Sequence, residues 1–147
     1  MKSDKRPGVG VGIALIKDNK ILLGHRHPNA KKASSALHGQ GTWTMPGGKT
    51  EFRERLVDTA IRELFEETAI KVKEADLEFL CVQDDIEKDA HFVTVGFLAK
   101  KWKGEVKVCE PDKITEWKWW NIKKLPKPMY KPSGKMTKTY LKSRSLK

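Results

Sequence analysis

Apolar residues near the start of the chain alternate with glycine, as they do in a closely packed β-strand. Valine, isoleucine and leucine lie at positions 9, 11, 13, 15 and 16, and glycine lies at 8, 10 and 12. The turn residues Asp18-Asn19-Lys20 follow, and the apolar run Ile21-Leu22-Leu23 supplies a returning strand. The pattern predicts a hairpin whose first strand packs against another backbone.

A loop, a short strand and a helix are predicted next. Residues 24–41 are polar, rich in small side chains and without a period, which predicts a long loop of the kind that is often functional. Residues 42–45 predict a short strand that ends at Pro46-Gly47-Gly48. The helix after these glycines is indicated by apolar residues at helical spacing, which are Val57, Ala60, Ile61 and Leu64.

The second half of the chain predicts three more strands, at 77–82, 92–99 and 116–120, with an acidic turn at 84–87. Near the C-terminus only 136–141 has the pattern of a short amphipathic helix. A length of 147 residues, of which 38% are hydrophobic, suits one domain. We expect residues 1–125 to form its body and 126–147 to be a basic segment of the same domain, partly helical or disordered.

The net charge of +11 is concentrated at one end. Nine lysines or arginines and no acid lie between Lys123 and Lys147, so residues 1–122 carry 21 basic and 19 acidic groups. This distribution favours a solvated, partly disordered tail. Contact of the tail with RNA, or attraction of polyphosphate substrates, is the alternative, and we rank it lower.

The sequence favours a cytoplasmic protein. No run of about 18 apolar residues occurs, and the first eight residues are polar and charged, so neither a membrane span nor a signal peptide is expected. Cys81 and Cys109 form no C-x-x-C pair and have no histidine at ligand spacing. Neither a disulfide nor a zinc site is therefore predicted.

The predicted helix carries an acidic face. Glu63, Glu66 and Glu67 lie three and four residues apart and repel one another, and Arg62 offsets only part of that repulsion. Mg²⁺ would resolve it, because this ion combines carboxylates with waters and phosphate oxygens. Gly47-Gly48 lets the main chain approach a ligand closely. Taken alone, such a run of glutamates is more often a solvated helix face.

The spacing of these residues closely resembles the signature of the Nudix hydrolases, Gly-x5-Glu-x7-Arg-Glu-U-x-Glu-Glu-x-Gly-U, where U is apolar. The chain reads Gly48-x5-Glu54-x7-Arg62-Glu63-Leu64-x-Glu66-Glu67-x-Ala69-Ile70, and eight of the nine specified positions match. The departure is Ala69. The family's glycine ends the helix with a positive φ, so alanine should cost on the order of 1 kcal/mol or shift the helix end.

The resemblance implies an α/β/α sandwich around a mixed β-sheet. Further stretches, among them Leu22-Leu23-Gly24-x-Arg26 and Glu110-Pro111-Asp112-Lys113, look like the MutT-type nucleotide pyrophosphohydrolases. The activity implied is Mg²⁺-dependent hydrolysis, with Mn²⁺ able to substitute, of a nucleoside diphosphate linked to a group X. We expect a (d)NTP, or an oxidised dNTP such as 8-oxo-dGTP, cleaved to a monophosphate and pyrophosphate. A homodimer is expected on resemblance alone.

Other activities remain open. Within the enzyme class, the substrate is alternatively ADP-ribose, a dinucleoside polyphosphate or an RNA 5′ end. A non-catalytic module that senses a nucleotide belongs to another class, and retention of the four motif glutamates argues against it. A nucleic-acid-binding protein would rest on charge alone, and the nearly neutral body of the domain disfavours it.

By the same resemblance, the metal ligands are Glu63, Glu66 and Glu67, with a backbone ligand from Gly47 and a further carboxylate from Glu110. An exposed turn acid is an equally good interpretation of Glu110, and its weaker rivals as a ligand are Asp84, Asp85 and Glu87. Glu54 would assist the metal shell or orient Arg62, whose role we take as structural. The general base is Glu63, Glu66 or a loop acid.

Substrate contacts are predicted for residues around the glycine turn. Arg26 is expected to reach a phosphate, with a surface ion pair as the alternative. Gly47 and Gly48 would approach the phosphates, and Met45 and Thr94 would line a base pocket. Met129-Tyr130 would flank that pocket. We interpret Trp117, Trp119 and Trp120 as core or dimer contacts rather than base platforms, and the four histidines receive no catalytic role.

Overall fold

A mixed β-sheet between two helices forms the fold. The structure, a computed structural model, describes residues 5–33 and 37–145. The strands are β1 Gly8–Lys17, β2 Lys20–Arg26, β3 Trp43–Thr44, β4 Gly47–Lys49, β5 Leu77–Ile86, β6 His91–Ala99 and β7 Ile114–Asn121. The helices are α1 Leu56–Thr68 and α2 Lys131–Ser145, and one 3-10 turn spans Glu74–Asp76. Neither helix of the described residues is long and apolar enough to cross a membrane.

The strand order is β3-β2-β1-β6-β5, with β4 added to β1 and β7 added to β2. Strands β1 and β6 are parallel and stay in register from the Gly8–Phe92 pair to the Leu15–Ala99 pair. The other pairings are antiparallel. The sheet is therefore mixed, and β1 at its centre is the strand to which the glycine turn is attached.

The two helices cover opposite faces of this sheet. Successive side chains of a strand point to opposite faces. On β1, Ile13 and Leu15 pack in one core cluster with Leu64 of α1. Ala14 lies in a second cluster with Met136 of α2. The expected α/β/α sandwich is thereby confirmed.

Strands β2 and β5 run on into regions that were predicted as a loop and a turn. Strand β2 continues through Arg26 because its ladder with β7 runs on to the Arg26–Ile114 pair, so the predicted loop loses its first three residues. Strand β5 continues to Ile86, and the predicted turn at 84–87 is mostly strand. The turn lies beyond it, where the Glu87 N–H donates to the Ala90 carbonyl at 2.7 Å. The polar residues that suggested turns are tolerated because one side of each strand end is accessible.

The C-terminal segment differs most from its prediction. Helix α2 has 15 residues instead of the six at 136–141, and Ser133, Met136 and Thr137 are buried against the sheet. Residues 131–145 are therefore a packed layer of the fold rather than a solvated tail. The predicted polar N-terminus at 1–4, the centre of the predicted loop at 34–36 and the last residues of the basic segment at 146–147 lie outside the described residues.

Candidate active site

The turn predicted at Gly47-Gly48 is instead the short strand β4, which fits against β1 and α1 with no room for side chains. We keep the name glycine turn for Pro46-Gly47-Gly48. Gly47 and Gly48 lie on β4, paired with Gly12 and Val11 of β1. A Cβ on Gly47 would lie 2.1 Å from the Val11 carbonyl oxygen, and one on Gly48 would lie 2.4 Å from Cδ of Glu63. The Val11 backbone cannot relieve the clash at Gly47, and the clash at Gly48 would displace the Glu63 carboxylate from its place. The glycines are therefore required to bring the turn against the acidic helix.

Helix α1 begins at Leu56, so Glu54 precedes it. The helix ends in the backbone conformation predicted for the motif glycine, because Ala69 has φ 66° and ψ 8°. Its N–H donates to the Phe65 carbonyl at 2.9 Å. The alanine is thus held in the left-handed region and the end of the helix is not shifted.

Arg62 joins the start of the motif to the helix. Its Nε and Nη2 donate to the two carboxylate oxygens of Glu54 at 2.8 and 2.9 Å, and Nη1 donates to Glu63 at 2.9 Å. Nη2 also reaches the Lys49 carbonyl at 3.2 Å, and the Thr59 hydroxyl donates to Glu54 at 2.7 Å. The hydrogen bonds from Arg62, and secondly that from Thr59, lower the pKa of Glu54 to about 2. Glu54 is therefore ionised and committed to Arg62.

Glu63 and Glu67 face the pocket instead. Glu67 is only 9% exposed and accepts the Gly47 N–H at 2.7 Å through Oε1. Burial raises its pKa well above the usual range, and the charges of Glu63 and Glu110 add to that effect. Burial also raises the pKa of Glu63, against the opposing hydrogen bond from Arg62. Two acids are thus held where their negative charge is incompletely compensated.

Glu110 approaches the same pocket from the loop before β7. It lines the pocket beside Glu63 and Glu67. Lys113 lies on the same wall, with Nζ 3.8 Å from Oε2 of Glu110. The structure therefore brings this predicted loop carboxylate to the helix acids, although they are more than 40 residues apart in sequence.

The rival acids and Glu66 do not line this pocket. Asp84 pairs with His91 at 2.8 Å, Asp85 pairs with Lys135 at 2.7 Å, and Glu87 pairs with Lys131. The Glu66 side chain is 47% exposed and its nearest cation is Arg62 Nη1 at 3.3 Å. Glu66 thus sits at the outer edge of the helix face, and its predicted role as a ligand stays a prediction.

The donor set suits a hard divalent cation. Glu63, Glu67 and Glu110 offer carboxylate oxygens, the ligands that Mg²⁺ prefers, and a cation would offset the charge that burial leaves uncompensated. Over residues 5–33 and 37–145, no three acidic, histidine or cysteine side chains are already gathered as a metal-binding cluster. The carboxylates line the pocket as separate groups, so an ion would complete the arrangement together with water and phosphate oxygens.

The remainder of the pocket, whose volume is about 400 Å³, could hold a nucleotide. Met45 and Thr94 both line it, as predicted. Thr94 is 4% exposed, and its hydroxyl has no hydrogen-bond partner within the described part of the chain. A buried hydroxyl without a partner favours a ligand that supplies one. Met45 is mainly a core residue with one edge on the pocket.

Arg26 lines the pocket but is partly committed to the protein. Its Nε donates to the Gly39 carbonyl at 2.9 Å and its Nη2 to the Ala33 carbonyl at 2.7 Å. Its guanidinium lies 4.9 Å from the centre of the Tyr130 ring, and burial lowers the pKa of Arg26. These contacts replace the surface ion pair considered from sequence. Arg26 thus holds the loop after β2 against the pocket, and its contact with a phosphate stays a prediction.

Ser133 is a site residue that sequence reasoning missed. Its hydroxyl accepts the Met45 N–H at 2.9 Å and lies 3.1 Å from the Thr44 hydroxyl. Helix α2 is thereby attached to the strand that leads into the glycine turn. Pro132 is the sequence feature that indicates the start of α2, because proline is common in the first turn of a helix. The high positive charge of the segment favoured a solvated tail instead.

The tryptophans and histidines have structural surroundings. Trp119 and Trp120 pack against the two core clusters, and Trp120 meets the Trp43 ring edge-on at 4.9 Å. His25 stacks on Trp43 at 4.6 Å. Within the described ranges, no histidine lines the pocket. Of the predicted pair Met129-Tyr130, Tyr130 lines the pocket and Met129 does not.

The chain is similar to proteins of one family in both sequence and fold. The NUDIX domain model matches residues 6–140. A solved MutT NUDIX hydrolase from Burkholderia pseudomallei has a TM-score of 0.81 and 30% identity, covering 92% of this chain and 98% of that one. ADP-ribose pyrophosphatase of Methanocaldococcus jannaschii is 29% identical over 136 residues, 92% of this chain and 74% of that protein. RNA pyrophosphohydrolase of Pelagibacter ubique is 28% identical over 135 residues, 82% of this chain and 78% of that protein.

Proposed function

The chain belongs to the Nudix hydrolase family, and from that premise we propose that it cleaves a phosphoanhydride bond of a nucleoside diphosphate linked to a group X. The observation that carries the proposal is the convergence of Glu63, Glu67 and Glu110 on one pocket beside Gly47 and Gly48. Acids there can hold a cation, and the glycine backbone leaves space for phosphates.

The chemistry transfers a phosphoryl-containing group to water. The water oxygen bonds to a phosphorus, the bond from that phosphorus to the bridging oxygen breaks, and the water proton passes to a base. Mg²⁺, for which Mn²⁺ can substitute, neutralises phosphate oxygens and lowers the pKa of water when bound. Glu63, Glu67 and Glu110 would hold it, and Glu66 and a backbone ligand from Gly47 belong to the same prediction.

The protein side chains are proposed to act as base, to position that base and to bind the substrate. Glu63 or Glu110 is the proposed base, since both are carboxylates at the pocket wall. Arg62, fixed by Glu54, holds Glu63 in place through the 2.9 Å hydrogen bond. Arg26 contacts a phosphate, and Thr94 offers its hydroxyl to the base of the nucleotide.

For the substrate we propose a (d)NTP, including an oxidised dNTP such as 8-oxo-dGTP, with a nucleoside monophosphate and pyrophosphate as products. The likeness to a MutT NUDIX hydrolase and the size of the pocket support this. Relatives named for ADP-ribose and RNA support those substrates as alternatives. A cytoplasmic location and a homodimer belong to the same proposal, and the free cysteines Cys81 and Cys109 suit a reducing compartment.

A substrate panel tests the proposal. Natural and oxidised nucleoside triphosphates, ADP-ribose, dinucleoside polyphosphates and 5′-triphosphorylated or capped RNA are incubated with Mg²⁺, and the products are identified. We expect pyrophosphate, not phosphate, from a triphosphate. The Glu63→Gln/Glu67→Gln variant is the control for contaminating hydrolases. Turnover of no compound in the panel, with a correctly folded protein, would overturn the proposal.

A further inference from the structure

A second cavity lies on another flank of α2. Its volume is about 820 Å³, and six lysines line it, for which we call it the lysine cavity: Lys123, Lys124, Lys127, Lys131, Lys135 and Lys138. The residues of α2 that line the reaction pocket are Pro132, Ser133 and Met136. The same helix therefore separates the two cavities, and its lysines face away from the buried layer.

The lysine cavity carries more positive charge than the acids around it neutralise. Two acids line it, Asp85 and Glu87. Each is already paired, Asp85 with Lys135 at 2.7 Å and Glu87 with Lys131. No carboxylate of the described residues forms an ion pair with the other four lysines. Four exposed cations thus surround one concavity without compensation, which favours an anionic ligand.

Apolar residues also line the cavity, and we call the five that are at least half buried its floor. Leu125, Met129 and Leu141 are half buried, and Ile122 and Pro126 are buried. A free phosphate ion gains nothing from contact with such an apolar surface. A nucleotide chain can use both parts of the cavity, because its phosphates contact lysines and the flat faces of its bases can cover aliphatic side chains. An acidic peptide matches the lysines but leaves this floor uncovered.

The lysine cavity adjoins the reaction pocket through a third concavity, of about 420 Å³. This concavity shares Lys49 and Phe92 with the reaction pocket and Ile86 and Glu87 with the lysine cavity. The basic residues along it are Lys5, Arg6, Lys49 and Lys88. Its further acid, Asp89, is paired with His38 at 2.9 Å. The three concavities are therefore neighbours linked by shared lining residues, and four lysines or arginines and two acids line the one in the middle.

We propose that the lysine cavity binds the phosphate backbone of a single-stranded polynucleotide whose 5′-terminal nucleotide occupies the reaction pocket. The second half of this inference rests on the proposed function. A 5′-triphosphate end carries the same phosphoanhydride as a free nucleoside triphosphate. Water would convert it to a 5′-monophosphate end and pyrophosphate, by forming one phosphorus to oxygen bond and breaking the one to the bridging oxygen.

Two triple variants of equal charge test the site. Lys124→Gln/Lys127→Gln/Lys138→Gln removes three exposed lysines of the cavity. The matched control is Lys73→Gln/Lys103→Gln/Lys107→Gln, because these three lysines are exposed and line none of the three cavities. Lys107 lies near the end of α1, where its N–H donates to the Thr68 carbonyl at 2.8 Å. The probe is a 12-nucleotide RNA with a 5′-monophosphate and a 3′ fluorophore, followed by anisotropy in EDTA between 50 and 200 mM KCl.

We expect the cavity variant to bind the probe about tenfold more weakly than the wild type, with a salt dependence shallower by roughly 2, because each phosphate contact contributes about 0.7 on single strands. The control variant should bind as the wild type does. Equal binding by all three proteins, or an equal loss in both variants, would overturn the inference. Binding of phosphatidylserine vesicles or polyglutamate instead of the RNA, lost in the cavity variant, would assign the surface to another partner and overturn it too.

Hydrolysis separates this inference from the proposed function. Turnover of a nucleoside triphosphate should be the same in all three proteins. The kcat/KM for a 5′-triphosphorylated 12-mer should fall about tenfold in the cavity variant alone. If the contrast in binding holds but no protein hydrolyses either compound, the binding site stands and the proposed function fails. If hydrolysis is present and the contrast is absent, the proposed function stands and this inference fails.

Discussion

Glu54 and Glu67 come from one short segment but have opposite surroundings. Glu54 accepts two hydrogen bonds from Arg62 and one from Thr59, and its pKa falls to about 2. Glu67, 13 residues later in the chain, is buried against Gly47 with its pKa raised. The first carboxylate gains its counter-charge from the protein. The second is left without one.

This difference indicates a division between positioning and chemistry. A carboxylate satisfied by a guanidinium is a poor ligand, because a cation must first displace that partner. A carboxylate that burial destabilises binds a cation with less competition from its own surroundings. We therefore propose that Glu54, which takes two hydrogen bonds from Arg62, fixes the geometry. Glu67 and Glu110, together with Glu63, which takes only one hydrogen bond from Arg62, are the proposed reactive groups.

The largest effect is expected at Glu67. Glu67→Gln keeps an acceptor for the Gly47 N–H but removes the negative charge, so kcat should fall by about 10³-fold while the fold persists. Pyrophosphate release and thermal unfolding are the measurements. Glu105→Gln, an exposed acid distant from the pocket, is the control and should keep wild-type activity. A Glu67→Gln protein with an unchanged rate would remove Glu67 from the site.

The Arg62→Lys variant tests the role of Arg62 and Glu54 in positioning Glu63. Lysine cannot reproduce the two-pronged contact with Glu54 together with the bond to Glu63, so Glu63 should shift and kcat should fall, by up to about 100-fold. Arg55→Lys is the matched control, because Arg55 also pairs with two acids, Asp58 and Glu74, on the exposed side. Steady-state kinetics of the two variants give the comparison. Equal losses in both would mean that Arg62 has no special role.

Metal binding should distinguish the proposed ligand Glu67 from the positioning residue Arg62 without any measurement of turnover. Mg²⁺ at about 100 times its Kd should stabilise the wild-type fold by about 2.7 kcal/mol, or roughly 5–10 °C in Tm. Glu67→Gln should lose most of this shift, whereas Arg62→Lys should retain most of it, since Arg62 is not a ligand. Calorimetry with Mg²⁺ and with EDTA measures it. The reverse order would contradict the division between the two groups.

Local spacing in the sequence was enough to predict the helix, because helical periodicity depends on neighbours along the chain, such as the four-residue spacing of Glu63 and Glu67. The left-handed end of the helix was expected from the family signature. The turn expected at Gly47-Gly48 is strand β4 instead, because its pairing with β1 is a tertiary contact. The outward position of Glu66 was not predictable in the same way. The rotation of α1 about its axis is set by burial of Ala60 and Leu64 against the sheet, which is a tertiary effect.

The C-terminal helix shows the opposite case. Its lysines indicated a solvated tail, but the few apolar and small residues between them, with Met136 at 1% exposure, fill the second layer of the sandwich. An amphipathic segment packs only if the rest of the fold presents an apolar surface to it. Here strands that are distant in sequence form that surface. The contact of Ser133 with Met45 spans 88 residues and had no local signal of its own.

The smallest expected effect concerns the end of the acidic helix. Ala69→Gly should stabilise the fold by about 1 kcal/mol, because glycine adopts φ 66° without the steric cost that alanine bears there. Ala75→Gly, in the exposed 3-10 turn, is the matched control and should destabilise by about 0.5 kcal/mol through backbone entropy. Urea unfolding measures both. Activity should stay at the wild-type level in Ala69→Gly, since the structure already holds Glu67 against Gly47. A large gain in kcat instead would show that strain at Ala69 displaces the pocket acids, and the positioning role would then extend from Arg62 to the last turn of the helix.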